Sequence, residues 1–191
     1  ELDTVSGEIT RKVIIRNATN VDWEDICFDD TYIYIGDIGN NSGSRTDLKI
    51  YRVSIANYFE TANDTVSADT IHFNYGDQSD FTPGSNQTNF DAEALISLGD
   101  SLYIFTKNWL NFKTSVYSLS KLPGTYSLVR VDSLDPQGLI TGACTNKISG
   151  SVRLSGYTLS SAFVVDLSLF SDARFSSGTI EKINLPILAQ I

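Results

Sequence analysis

Two stretches of this chain repeat one another. Residues 22–36 read DWEDICFDDTYIYIG, and residues 91–106 read DAEALISLGDSLYIFT. Each opens on Asp-x-Glu, passes through a short apolar run and a polar turn, and ends in a strand of alternating aromatic and aliphatic residues. Residues 140–156, ITGACTNKISGSVRLSG, keep that outline and lose the acids. A unit longer than a hairpin that recurs along the chain points to a repeat architecture, in which each unit buries its apolar face against the next.

The intervening residues follow the same grammar. Apolar residues alternate in short runs broken by Gly, Asn, Asp and Ser, with almost no helical periodicity, which is the signature of strands. Strands A to D of the first unit fall at 21–28, 31–36, 48–55 and 69–76. Those of the second fall at 91–98, 101–106, 114–121 and 125–132, and those of the third at 139–146, 151–158, 161–168 and 178–185. Repeated four-stranded antiparallel units with short links predict an all-β chain with β-propeller blades over residues 21–76, 91–132 and 139–185. Residues 8–17 read as an outer strand that closes the ring, and residues 186–191 as the lead-in to a further inner strand. Propellers have about four to eight blades. The expectation is therefore part of a larger propeller, completed by further blades or a partner chain, with a stacked sandwich as the alternative. The Gly-, Pro- and Asn-rich residues 76–90 read as a surface loop between units.

A formal charge of −9 argues against nucleic acid and anionic membranes, both of which demand a basic face. No run of about 18 apolar residues offers a membrane span. A composition rich in Ser, Thr, Asn, Asp and Tyr, without Met, suggests a secreted bacterial protein, extracellular or on the cell surface. Cys27 and Cys144 are expected as buried free thiols, a single bridge between them being the alternative.

Antiparallel order sets the geometry of a candidate site. The start of strand A and the end of strand B share one edge of a blade, and in a propeller strand A is innermost. Asp22, Glu24, Asp91 and Glu93 start two of the A strands, with Thr141 in the third, and Asp37, Lys107 and Tyr157 end the B strands. These residues are expected to ring one mouth of the central channel, joined by Trp109 from the loop after Lys107. Asp22 and Glu24, two apart on a strand, are expected on one face, as are Asp91 and Glu93. Clustered carboxylates repel unless a cation sits among them. Lys107, Arg45 and a hard ion such as Ca²⁺ held by Glu24, Glu93 and Asp37 are the candidates, beside capping of backbone N–H groups and direct contact with a ligand. A tryptophan flanked by amides, Asn108 and Asn111, suits a glycan surface as well as it suits packing between blades. A Ser-His-Asp triad lacks a base, because the one histidine, His72, falls in an outer strand.

The set DWEDI…DDTYIYIGDIGNN…LKIYRV, FDAEALI…DSLYIFTKNW and GLITGA…LSGY resembles secreted bacterial propeller-like proteins of the flavobacterial kind, which are cargo of type IX secretion. The resemblance runs from about residue 20 to the end and implies a further inner strand beyond AQI. A more distant likeness, carried by Glu24 and Glu93, is to calcium-dependent propeller hydrolases of the phytase-like and lactonase-like kinds. The expected function is a non-catalytic extracellular binding module that takes a glycan or protein at the channel mouth. The alternative is a calcium-dependent hydrolase using the same mouth.

Overall fold

Alternation of apolar and polar residues turns most of this chain into strands. A computed structural model describes residues 1–186, so the expected lead-in at 186–191 lies outside the described residues except for Pro186. β1 (Ile14–Ile15) precedes a first sheet built from β2 (Trp23–Phe28), β3 (Tyr32–Asp37), β4 (Lys49–Ser54) and, after a helix α1 (Ile55–Glu60) and β5 (Thr65–Val66), β6 (Asp69–Tyr75). β7 (Asp91–Leu98), β8 (Ser101–Lys107) and β9 (Thr114–Ser120) begin the second sheet, and β10 (Gly124–Leu128) and β11 (Arg130–Leu134) follow. The third sheet is β12 (Leu139–Thr145), β13 (Val152–Tyr157), β14 (Ala162–Ser168) and β15 (Thr179–Leu185). Within each sheet, consecutive strands pair antiparallel. β2, β7 and β12 are each an edge strand of their own sheet. β7 lies beside both β2 and β12, so the three sheets fan out from a common edge.

One strand departs from the expected order. Residues 125–132 read as one strand, yet the chain crosses between sheets at Val129, which is largely exposed and follows directly on the apolar Leu128. β10 adds to the first sheet, parallel to β6, with Gly124 opposite Ile71 and Leu128 opposite Tyr75. β11 completes the second sheet, antiparallel to β9. Both halves keep their alternation: Leu128 enters the core between the first and second sheets, and Leu134 the core between the second and third. The crossing therefore staples the first two sheets together.

Each interface is a dry apolar layer. Tyr34, Ile50, Ile71, Leu95, Ile104 and Tyr117 meet between the first two sheets. Ile96, Phe105, Val116, Leu154, Phe163 and Val165 meet between the second and third. Full burial of such a side chain contributes roughly 1.5–3 kcal/mol. Tyr75 is the imperfect member: its ring packs 4.6 Å from Tyr117, but its buried hydroxyl has no hydrogen-bond partner. Tyr75→Phe removes that unsatisfied group, and a gain of about 1 kcal/mol is expected. A shift of the urea midpoint to higher concentration checks this.

The two end faces of the fan differ from the interfaces. Over the first sheet, Val13, Ile15, Ala18 and Tyr58 of α1 cover Tyr51, Val53, Ile33 and Ile35. Residues 8–17 thus contribute only the short β1, paired parallel with β5, and no outer strand of a blade. α1 itself was hidden in the sequence because Ile55 continues the alternation of strand C; Ser54 caps the helix by accepting from the Asn57 N–H. On the second sheet, Ala94, Ile96, Phe105 and Val116 face the third. The corresponding positions of the third sheet are Gly142, Cys144, Ser155 and Val164, next to an Arg153–Asp166 ion pair with bonds of 2.6 and 2.8 Å. That outer face is polar. Both cysteines are free, and Cys144, expected to be buried, is exposed because it points to this face. No helix among the described residues is long and apolar enough to cross a membrane.

Candidate functional site

A β-bulge at the same place in all three sheets shapes the mouth. Trp23 pairs with Asp37 and Asp25 with Gly36, leaving Glu24 as the extra residue. Glu93 is extra between Ala92 and Ala94, and Thr141 between Ile140 and Gly142. A bulge re-aims the side chains around it. Simple alternation therefore does not hold across Asp22–Glu24 and Asp91–Glu93, but Asp22 and Glu24 still converge. A Cβ on Gly39 would overlap Asp22 Oδ2 and lie 2.6 Å from Glu24 Oε1. Trp23 is turned to the outer face of the first sheet, its ring 6.0 Å from Tyr51.

The acids have different fates. Asp91 is fully buried: its Oδ1 accepts from the backbone N–H of Asn40 at 2.7 Å and of Ala92 at 3.0 Å, and its Oδ2 accepts from Trp109 Nε1 at 2.8 Å. It ties the 38–47 loop and Trp109 to β7. Asp37, also buried, accepts on Oδ1 from the Asp22 N–H at 2.9 Å and from Arg45 Nη2 at 3.0 Å. Its Oδ2 makes no hydrogen bond and faces the Lys49 ammonium at 3.4 Å. Glu93 accepts from Lys107 Nζ at 2.6 Å. Burial raises the Glu93 pKa, with Lys107 opposing. Glu24 has no cation of its own. Burial, then the charges of Glu93, Asp22 and Asp91, push its pKa up to about 8, and it hydrogen-bonds Asp22. Glu24 therefore keeps its proton to higher pH than an ordinary glutamate.

Lys107 is sandwiched. Its ammonium lies 4.4 Å from the centre of the Trp109 ring and 5.2 Å from that of Tyr157. A cation over a desolvated ring is worth about 2 kcal/mol. The cations that these carboxylates were expected to recruit are thus side chains: Lys107 on Glu93, and Arg45 and Lys49 on Asp37. Among the described residues, no three His, Cys, Asp or Glu side chains are grouped to hold a metal ion. The set Glu24, Glu93 and Asp37 does not fit calcium, because two of its three carboxylates are already neutralised within the fold.

Of the residues expected at one mouth, Asp91, Glu93, Lys107, Trp109 and Tyr157 are linked by direct contacts, and Asp22 and Glu24 converge beside Gly39. Asp37 lies beneath, reached through the Asp22 backbone. Asp25 was missed. Its Oδ2 accepts from the Leu95 N–H of β7 at 2.8 Å and its Oδ1 from the Ile26 N–H at 2.8 Å. One side chain thus joins β2 and β7. The available signal was the repeat itself, since the second unit carries Ala94 at that place and the third Gly142. The 76–90 loop is the expected surface loop, mostly exposed, and it packs on the 38–47 loop, with Gln78 Nε2 donating to the Gly43 carbonyl at 2.7 Å.

Comparison with protein-family models and with curated protein sequences finds no match for this chain.

Proposed function

We propose that this chain is a non-catalytic binding module of the β-propeller kind, and that its ligand is a glycan taken at the mouth where β2, β7 and β12 begin. Three sheets fanned from a shared edge, with equivalent bulges, support the propeller reading. The observation that carries the function is the state of the mouth's charges. Glu93 is paired with Lys107, Asp91 is fully hydrogen-bonded, and Glu24 is held near neutrality by its neighbours. Asp22 and Glu24, side by side at Gly39, are the carboxyl groups left to meet a ligand. What remains is a polar surface of hydroxyl-sized donors and acceptors beside the rings of Trp109 and of Tyr157, the latter 37 % exposed. Neutral, hydroxyl-rich ligands suit such a surface, since sugar faces stack on rings and sugar hydroxyls meet carboxyl groups.

Of the chain's two tryptophans, Trp23 and Trp109, the second is at this mouth, so intrinsic fluorescence in a Trp23→Phe background reports on it. Titration with soluble neutral oligosaccharides of the β-glucan and chitin series is expected to give a saturable change in emission. Tyr157→Ala is expected to weaken binding by on the order of tenfold. Unchanged emission and melting temperature with every oligosaccharide at tens of millimolar would remove the glycan reading.

A further inference from the structure

We propose that Glu93, Trp109 and Tyr157 form an ammonium-binding cage whose built-in occupant is Lys107, and that this occupant holds the two rings in the pose that meets the ligand. The cage draws on separate parts of the fold. Glu93 is the bulge residue of β7, Lys107 ends β8, Trp109 stands in the loop that follows, and Tyr157 ends β13 of the third sheet. The ammonium bonds Glu93 at 2.6 Å and stands 4.4 and 5.2 Å from the two ring centres. The Lys107 side chain is only 7 % exposed.

Two observations separate this from ordinary packing. The fold does not require a lysine here. Lys107 pairs with Asp91, and the corresponding pair of the third sheet is Leu139 with Tyr157, with no cation. The rings are also unequally fixed. Trp109 is anchored at its edge by Asp91, which leaves its face to Lys107. Tyr157 is 37 % exposed, and Lys107 is the cation over its face. An ammonium lying on both faces orients the rings toward each other across the boundary between the second and third sheets.

Lys107→Ala deletes a four-atom piece, three methylenes and the ammonium, that n-propylammonium reproduces. In a Trp23→Phe background, where Trp109 is the remaining tryptophan, Lys107→Ala is expected to shift the Trp109 emission to the red. Millimolar n-propylammonium is expected to restore it, and n-propanol, of the same length without the charge, is not. Lys107→Met, which fills the space without a cation, is expected to show no response to the amine. Restoration by n-propanol as well as by the amine would overturn the cage, and so would an Ala variant indifferent to n-propylammonium. Should Lys107→Ala fold poorly, recovery of its far-ultraviolet circular dichroism by the amine, and not by the alcohol, makes the same distinction.

The ligand half of the proposal rests on the glycan reading above; the emission half does not. Oligosaccharide affinity is expected to fall on the order of tenfold in Lys107→Ala and to return with n-propylammonium. Amine rescue of emission with no oligosaccharide response in any variant leaves the cage standing and removes the glycan. Undiminished oligosaccharide affinity in Lys107→Ala does the opposite to the positioning role.

Discussion

Asp25→Ala is expected to lower stability by about 3 kcal/mol. The Asp25 carboxylate joins the first strands of the first and second sheets, accepting from Leu95 of β7 besides its own neighbour Ile26. Truncation leaves two of those N–H groups, on different sheets, without an acceptor, and each orphaned donor costs about 1–3 kcal/mol. A counter-term exists. Burial of the carboxyl raises its pKa against the hydrogen bonds that lower it, so removing it recovers part of a desolvation penalty. The hydrogen bonds win because alanine cannot accept them, nor does it admit a group that does. For a chain of this length, 1 kcal/mol corresponds to about 2–4 °C, so the melting temperature is expected to drop by about 6–12 °C. Asp25→Asn keeps one acceptor oxygen and is expected to lose less than half as much. Asp100→Ala, in the exposed turn between β7 and β8, is the control, with an expected change below about 0.5 kcal/mol. Thermal melts of the three variants decide the point, and a Asp25→Ala midpoint within about 2 °C of the parent removes the clamp.

How far the sequence led follows from what each signal can carry. Period-two alternation is a property of single strands, and it located β2, β7, β8, β13, β14 and β15 closely. It says nothing about which sheet a strand joins. Residues 125–132 read as one strand because a single residue, Val129, separates β10 from β11, while the crossing there is decided by packing of Leu128 and Leu134 into different cores. Bulges are equally silent. A register shift at Glu24, Glu93 and Thr141 leaves no fixed residue type behind, yet it decides which acids reach the mouth and which clamp the strands. The candidate site was legible as a place, because equivalent repeat positions must converge wherever the sheets share an edge. Its cations were legible as Lys107 and Arg45, but not which acid each would meet: Lys107 reaches Glu93 because of the bulge in β7, and Arg45 reaches Asp37 by the path of the 38–47 loop. Residues 8–17 show the same limit: EITRKVIIRN has a strand's composition, but the apolar outer face of the first sheet drew Val13 and Ile15 into a cover instead.

Stability is also expected to depend on pH through Glu24, with a sign that differs from the usual acid. An ordinary ion-paired carboxylate is held below its unfolded pKa and loses its contribution in acid; Asp29, bonded to Lys121, is of that kind. Glu24 is the reverse. Its pKa of about 8 in the fold lies above its ordinary 4.5, because burial and the charges of Glu93, Asp22 and Asp91 penalise ionisation. The folded state therefore binds the proton more tightly than the unfolded state does. The Glu24 contribution is fully present below pH about 4.5, declines as pH rises through that value, and is gone above about 8. Glu93, raised by burial, shifts in the same direction. The full free energy of such a shift is not realised at a site open to water, where solvent screens the repulsion. Even so, the melting temperature of the parent is expected to fall steadily between pH 5 and pH 9, a range free of other large upward carboxylate shifts among the described residues. Glu24→Gln separates this from general effects of charge. The amide cannot ionise, yet its NH₂ donates to Asp22 as the carboxylic proton does, so its curve is expected to be flatter over this range. The two proteins should be closest at pH 5 and furthest apart at pH 9, with the variant the more stable at the alkaline end. Parallel curves across the range would mean that Glu24 ionises normally and that the mouth carries one more negative charge than its geometry implies.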